Sequence, residues 1–245
     1  MRVRLALLLI LIATSAHARD VATFSIVARD PQTGEMGVAV ASRFFSVGSV
    51  VPYARADAGA VATQANANVA WGPRGLALLA QGKTAQQTLR ELLRSDKDPK
   101  ARQVGIVAAD GTSATYSGPE CNAWAGGRSG PNYAVQGNIL AGEAVVNNMV
   151  KNFEETTGPL SIRLVAALEG GQAGGGDTRG QQSAALLIVK KDCGVWLHND
   201  VVLRLQVDDN PEPIKELRRL VEKSVPQPGR GRARPGCEGV NGAPK

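Results

Sequence analysis

The chain has 245 residues, a formal net charge of +6 and only 4% aromatic residues, a length that suits one domain with a sizeable core. The basic charge is unevenly placed: Arg2 and Arg4 stand at the N-terminus, Arg230, Arg232, Arg234 and Lys245 near the C-terminus, and the body between them is close to neutral. A nucleic-acid binder would concentrate basic charge on its folded surface beside stacking aromatics, so composition argues against that class and no nucleic-acid partner is expected.

The first 18 residues read as a signal peptide. Arg2 and Arg4 form a basic n-region, Leu5 to Ala13 an apolar run, and Ala16-His17-Ala18 a small-x-small cleavage site. The run is about half the roughly 20 residues that a membrane anchor needs. An exported protein, periplasmic or secreted, with no transmembrane segment is therefore expected.

From Thr23 to Ala28 the pattern alternates, with Phe24, Ile26 and Ala28 on one face and Thr23, Ser25 and Val27 on the other. Asp30-Pro31-Gln32-Thr33-Gly34 is a turn, and Met36 to Ser42 a second strand, so residues 22–42 read as a hairpin. Ala58 to Ala65 is a strand of small residues that permits close packing of layers. Helices are expected from Pro73 to Ala80 and, capped by Thr84, up to Leu93. Strands over 102–109 and 112–117 straddle Asp110-Gly111, a strong hairpin signal. A strand from Tyr133 to Leu140 precedes helices over 143–156 and 159–168, and a glycine-rich loop spans 170–180. Strands over 183–191 and 201–207 lead to a helix over 211–225 with Ile214, Leu217, Leu220 and Val221 on one face. Clustered strands joined by hairpins, with helices arriving in pairs, point to an α+β protein: a four-layer αββα sandwich of two antiparallel sheets. One domain should span 19–225, followed by a disordered basic Pro/Gly/Arg tail over 226–245.

Three cysteines, Cys121, Cys193 and Cys237, allow one disulfide in an oxidising compartment. Spacing does not choose among the pairings, although the place of Cys237 in the tail favours Cys121 with Cys193.

Beyond the leader the chain has one histidine, His198, and no clustered acidic motif, so neither a metal nor another cofactor is expected. A serine triad would need His198 as its base, and its Trp196–Asp200 segment reads as a surface loop. The glycines at 174–176 lack the Lys-Ser/Thr that follows them in a phosphate-binding loop. One hydrolytic scheme needs no histidine: a threonine, serine or cysteine that begins the mature chain uses its own α-amino group as general base. Thr23 opens the first strand.

Several blocks resemble a bacterial family known as the domain of unknown function 1028. They are Thr23 to Asp30, Gly37 to Phe44, Gly72-Pro73-Arg74-Gly75, Gln136 to Leu140, Gly175 to Ser183 and Val207 to Pro211. The resemblance covers about residues 22–223. It implies an N-terminal-nucleophile (Ntn) hydrolase-like αββα sandwich with Thr23 as the candidate nucleophile, and it supplies no substrate. The opening hairpin also resembles the start of a proteasome β-subunit. On that reading Thr23 attacks, Asn138 donates its amide to the oxyanion, and Arg43 lowers the basicity of the nucleophile or holds a substrate carboxylate. Asp177 and Arg179 form a substrate clamp or pair with each other, while Gln64 and Asn66 line the same pocket. Phe44 and Phe45 read as core.

The expected function is an exported Ntn-type amidohydrolase acting on a small amide or peptide-like substrate. The alternative is a non-catalytic periplasmic ligand-binding or scaffold protein of the same fold. A small-molecule or peptide-like ligand is the expected partner, with homo-oligomerisation a second expectation from the Gly/Ala-rich strands. The leader's cleavage site falls four residues short of Thr23, behind Arg19-Asp20-Val21-Ala22. Catalysis by the α-amine therefore requires a second trimming step.

Overall fold

A computed structural model of the chain describes residues 23–196, 198–225 and 235–243. The predicted signal peptide lies outside the described residues, as do 226–234 and 244–245 of the tail.

β1 (Thr23–Arg29) and β2 (Met36–Ser42) form the expected hairpin, in register from Thr23 opposite Ser42 to Arg29 opposite Met36. Its turn is held by Asp30 Oδ1, which accepts the N–H groups of Gln32 (2.8 Å) and Thr33 (3.1 Å). Gly34 completes the turn at φ +74°, a conformation a side chain would resist. β1 is central in a six-stranded antiparallel sheet ordered β10-β9-β2-β1-β8-β7, with β7 at Gly126–Gly130, β8 at Tyr133–Asn138, β9 at Ser183–Val189 and β10 at Val201–Val207. A second antiparallel sheet runs in chain order through β3 (Pro52–Arg55), β4 (Gly59–Ala65), β5 (Arg102–Ala108) and β6 (Ser113–Ser117).

The alternation read in β1 divides its side chains between two cores. Phe24 and Ile26 pack with Val145 and Met149 of α3 (Glu143–Glu155), Leu164 and Leu168 of α4 (Leu160–Ala173) and Leu217 of α5 (Pro213–Ser224). Val27 turns the other way and packs with Val38, Val40, Ala60, Ala62, Val107 and Leu187 between the sheets. A third core joins the smaller sheet, through Val61, Val104 and Ile106, to Trp71 of α1 (Trp71–Leu79) and Leu92 of α2 (Ala85–Ser95). Three apolar layers thus separate four structural ones, and the fold is the expected αββα sandwich. The sheets approach closely because small residues face the gap: a Cβ on Gly105 would lie 2.0 Å from Gln136 Oε1. Thr84 caps α2 as read, in a reciprocal capping box with Gln87.

Three secondary-structure elements depart from the sequence reading. β3 and β7 carry no clear strand pattern, one being four residues opened by proline and the other Gly-Gly-Arg-Ser-Gly. Each exists because a better strand, β4 or β8, offers it a hydrogen-bonding edge. α4 continues through Gly170 and Gly171 to Ala173, past the expected stop near Leu168. These glycines permit contact: a Cβ on Gly170 would sit 2.4 Å from the Asn148 carbonyl oxygen, and one on Gly171 3.0 Å from the Phe24 ring. Tertiary packing there outweighs the roughly 1 kcal/mol that each glycine costs in a helix.

The disulfide joins Cys193 to Cys237, not Cys121 to Cys193. Cys121 instead directs its sulfur to the Arg102 carbonyl oxygen at 3.3 Å. The expectation of a disordered tail also fails for residues 235–243. Val240 and Asn241 are buried, Asn241 N–H donates to Glu35 Oε1 (3.0 Å), and Ser161 Oγ donates to Asn241 Oδ1 (2.7 Å). This docking carries Cys237 to Cys193, a proximity that chain position alone does not reveal.

Among the described residues, no helix is long and apolar enough to cross a membrane.

Candidate functional site

The register of β1 places its first residue between two defined neighbours, Ser42 on β2 and Asn138 on β8. The two-residue period of the strand sends the Thr23 side chain into the gap between the sheets, along with Ser25 and Val27. Thr23 is fully buried, and its hydroxyl donates to Ser42 Oγ at 3.2 Å.

Three glutamines anchor this end of the gap. Gln64 on β4 donates through Nε2 to the Thr23 carbonyl (3.1 Å) and to Gln103 Oε1 (2.8 Å), and its Oε1 accepts from Ser25 Oγ (2.5 Å). Gln103 on β5 donates to the Gly137 carbonyl (2.7 Å) and Ser117 Oγ (2.7 Å), while its Oε1 also accepts from Asn138 Nδ2 (3.0 Å). Gln136 on β8 donates to Ser25 Oγ at 2.6 Å. Each amide is engaged on both sides in a low-dielectric interior, where satisfied networks rigidify and broken ones are costly.

A second cluster forms where the glycine-rich loop meets the ends of β2 and β8. Asp177 bridges to Leu140, Thr178 N–H donates to the Ile139 carbonyl (3.0 Å), and Ala141 N–H to the Gly176 carbonyl (3.0 Å). Asp177 is almost fully buried and takes the Arg179 guanidinium in a fork, Nε on Oδ1 at 3.1 Å and Nη2 on Oδ2 at 2.9 Å. Its Oδ2 also accepts the backbone N–H of Arg43 at 3.0 Å. Of the two roles read for this pair, the mutual one is therefore observed. Arg43 itself is exposed and directs Nη1 to the Gln181 carbonyl (3.4 Å).

Thr23, Gln64 and Asn138 are thus joined in one network, and Arg43, Asp177 and Arg179 lie beside it at the same end of the sheet. Asn66 stands apart, its carbonyl accepting from Arg102 Nη1 (2.6 Å) and its N–H donating to Ala101 (3.2 Å). Phe44 packs on the inter-sheet core as expected, whereas Phe45 is 62% exposed. His198 is exposed on the β9–β10 loop. Sequence reading passed over Ser25, Ser42, Gln103 and Gln136. Their signal was polar residues at inward-facing positions of otherwise apolar strands.

The cavities of about 400, 390, 330 and 260 Å³ lined by described residues do not include Thr23. Among the described residues no three His, Cys, Asp or Glu side chains gather as a metal site.

Residues 23–217 match the model of a family described as a family of unknown function, DUF1028. The chain belongs to the DUF1028 family. A solved structure of a DUF1028 protein from Silicibacter pomeroyi is similar over 89% of this chain and 99% of that one, with 26% identity and a TM-score of 0.76. Anbu, an ancestral β-subunit from Yersinia bercovieri, is a fainter likeness: 12% identity and a TM-score of 0.34 over 85% of this chain and 99% of that one. At that score it carries no weight for function. No curated protein matches the chain. Membership in DUF1028 agrees with the blocks around Thr23, Asn138 and Asp177 and leaves the chemistry to be argued from the site.

Proposed function

We propose that this DUF1028 protein is an exported Ntn-type amidohydrolase whose nucleophile, Thr23, becomes competent when residues 1–22 have been removed. The observation that carries the reading is the position of Thr23. It opens the central strand of the six-stranded sheet, with its hydroxyl directed between the sheets and hydrogen-bonded to Ser42.

With residues 1–22 attached, the nitrogen of Thr23 is an amide and cannot take a proton. Removing them converts it to an amine with an ordinary pKa near 8, partly neutral at working pH. Thr23 Oγ then attacks the substrate carbonyl carbon while its proton passes to the α-amine. The tetrahedral adduct collapses, the C–N bond breaks, and the leaving amine takes that proton. Water hydrolyses the resulting ester by the same route. The Asn138 amide donates to Gln103, and its other N–H is the donor assigned in this scheme to the developing oxyanion. Arg43, exposed beside the site, suits a substrate carboxylate.

The test is to purify the protein from its host, determine its first residue, and challenge a chain beginning at Thr23 with small amides and peptides. An acyl adduct on Thr23 by mass spectrometry, with turnover cut about a thousandfold or more in Thr23→Ala, is the expected result. A chain that begins at Thr23, stays folded and forms no adduct refutes the assignment. The full burial of Thr23 and the closed Asp177–Arg179 pair favour a second reading, a non-catalytic ligand-binding or scaffold protein. A stable protein beginning at Arg19 and inert towards every amide would select it.

A further inference from the structure

The two sheets differ in width, and the difference leaves a step. β3, the edge of the smaller sheet, packs over β2 and β9, whereas β10 meets β9 and α5 and, among the described residues, has no strand stacked on its inner face. The register fixes what that face presents. Arg204 pairs with Leu187 and Gln206 with Ala185, and directly paired residues point to the same side of a sheet. Leu187 and Ala185 belong to the core between the sheets. Arg204 and Gln206 therefore point the same way, and both are exposed there. Leu205, between them, turns to the core under the helices.

A cavity of about 260 Å³ occupies the step. Ala185 and Leu187 line its floor, and Pro52 and the short 3-10 turn Val47–Ser49 its far side. Gly48 in that turn makes room for Gln206: a Cβ there would collide with the Gln206 amide and lie 2.8 Å from Ala185 Cβ. The lining holds one charged side chain, Arg204, and no acidic one. Asp208, next on the same face of β10, lies outside the lining, and its Oδ1 accepts from Ser46 Oγ at 2.8 Å. Among the described residues neither the Arg204 guanidinium nor the Gln206 amide has a hydrogen-bond or ion-pair partner. The Arg204 donors are thus both unengaged and open to solvent, and a guanidinium offers a carboxylate two parallel N–H groups.

We infer that this step binds a small organic monocarboxylate, its carboxylate on Arg204 and Gln206 and its apolar body on Ala185, Leu187 and Pro52. One cation with no acid in the lining selects a single negative charge over a neutral or cationic ligand. The apolar floor selects an organic acid over an inorganic anion. The volume falls just under the range of about 300–1,000 Å³ that suits drug-sized ligands, so the ligand is small. The site shares no residue with the Thr23 network and stands whether or not Thr23 is a nucleophile.

The experiment titrates the protein purified from its host with benzoate, with uncharged benzamide and with inorganic phosphate, following amide shifts by NMR. Benzoate should give saturable shifts at Gly48, Ser49 and Gln206 and move the Arg204 Nε–H resonance. Benzamide and phosphate should each bind about tenfold more weakly or worse, the loss expected when a charge-assisted pair or the apolar contact is missing. Arg204→Gln, a change at an exposed position, should weaken benzoate about tenfold and leave benzamide unaltered. Equal affinity for benzoate and benzamide, equal affinity for benzoate and phosphate, or shifts confined to another face would overturn the assignment. So would undiminished benzoate binding in Arg204→Gln, or no saturable shift with benzoate.

Discussion

Glu35→Gln isolates one buried carboxyl group and its effect on stability across a defined pH range. Glu35 has no accessible surface. Its Oε2 accepts from Thr33 Oγ1 at 2.8 Å and its Oε1 from Asn241 N–H at 3.0 Å. Burial pushes its pKa from 4.5 up to about 7, against the lowering effect of those two hydrogen bonds; the charge of Asp30 adds to the rise and that of Lys190 opposes it. Between pH 4.5 and 7 the folded chain therefore holds a proton that the unfolded chain has released. Stability must fall as pH rises through that window and level off above it. At about 1.4 kcal/mol per pH unit, the shift corresponds to about 3 kcal/mol. Glutamine keeps the shape and the acceptor for Asn241 but cannot ionise. Urea unfolding at intervals from pH 4 to pH 8 should show the wild-type midpoint dropping relative to Glu35→Gln, with the gap opening between pH 4.5 and 7. A wild-type-minus-variant difference that stays constant across those values would refute the reasoning.

The remaining expectations concern other links in the structure. Cys193→Ser opens a disulfide spanning 44 positions and should cost about 2–4 kcal/mol in non-reducing denaturation; an unchanged midpoint would mean that 235–243 dock without the covalent tie. Gly105→Ala forces a methyl group against Gln136 and should cost about 1–3 kcal/mol, read by thermal unfolding. Gln103→Leu strands Asn138, Gln64 and the Gly137 carbonyl together and should cost about 3 kcal/mol. Thr23→Ala removes the buried hydroxyl that donates to Ser42 and should cost about 1 kcal/mol or more, so its unfolding midpoint is measured beside its turnover to separate folding from hydrolysis.

Much of the fold was legible locally. The alternation of Phe24, Ile26 and Ala28 against Ser25 and Val27 anticipated which core each would enter. Asp110-Gly111 marked its hairpin, with Gly111 at φ +84°, and Thr84 marked the start of α2. The αββα order followed from hairpins and paired helices. Thr23 was nominated by opening the first strand and by the family blocks, and the register then placed Ser42 and Asn138 beside it.

What remained hidden depended on partners far apart in sequence. β7 has no strand periodicity and exists through β8. Gly170 and Gly171 resemble helix breakers until Asn148 and Phe24 are seen against them. Cys237 meets Cys193 because Asn241 docks on Glu35, 206 positions away, and Gln64, Gln103 and Gln136 form one network only when the sheets stack. Turns, caps and alternating faces are set by neighbouring residues and can be read from the sequence. Pairings across the sandwich are set by which surfaces meet, and only the tertiary structure decides them.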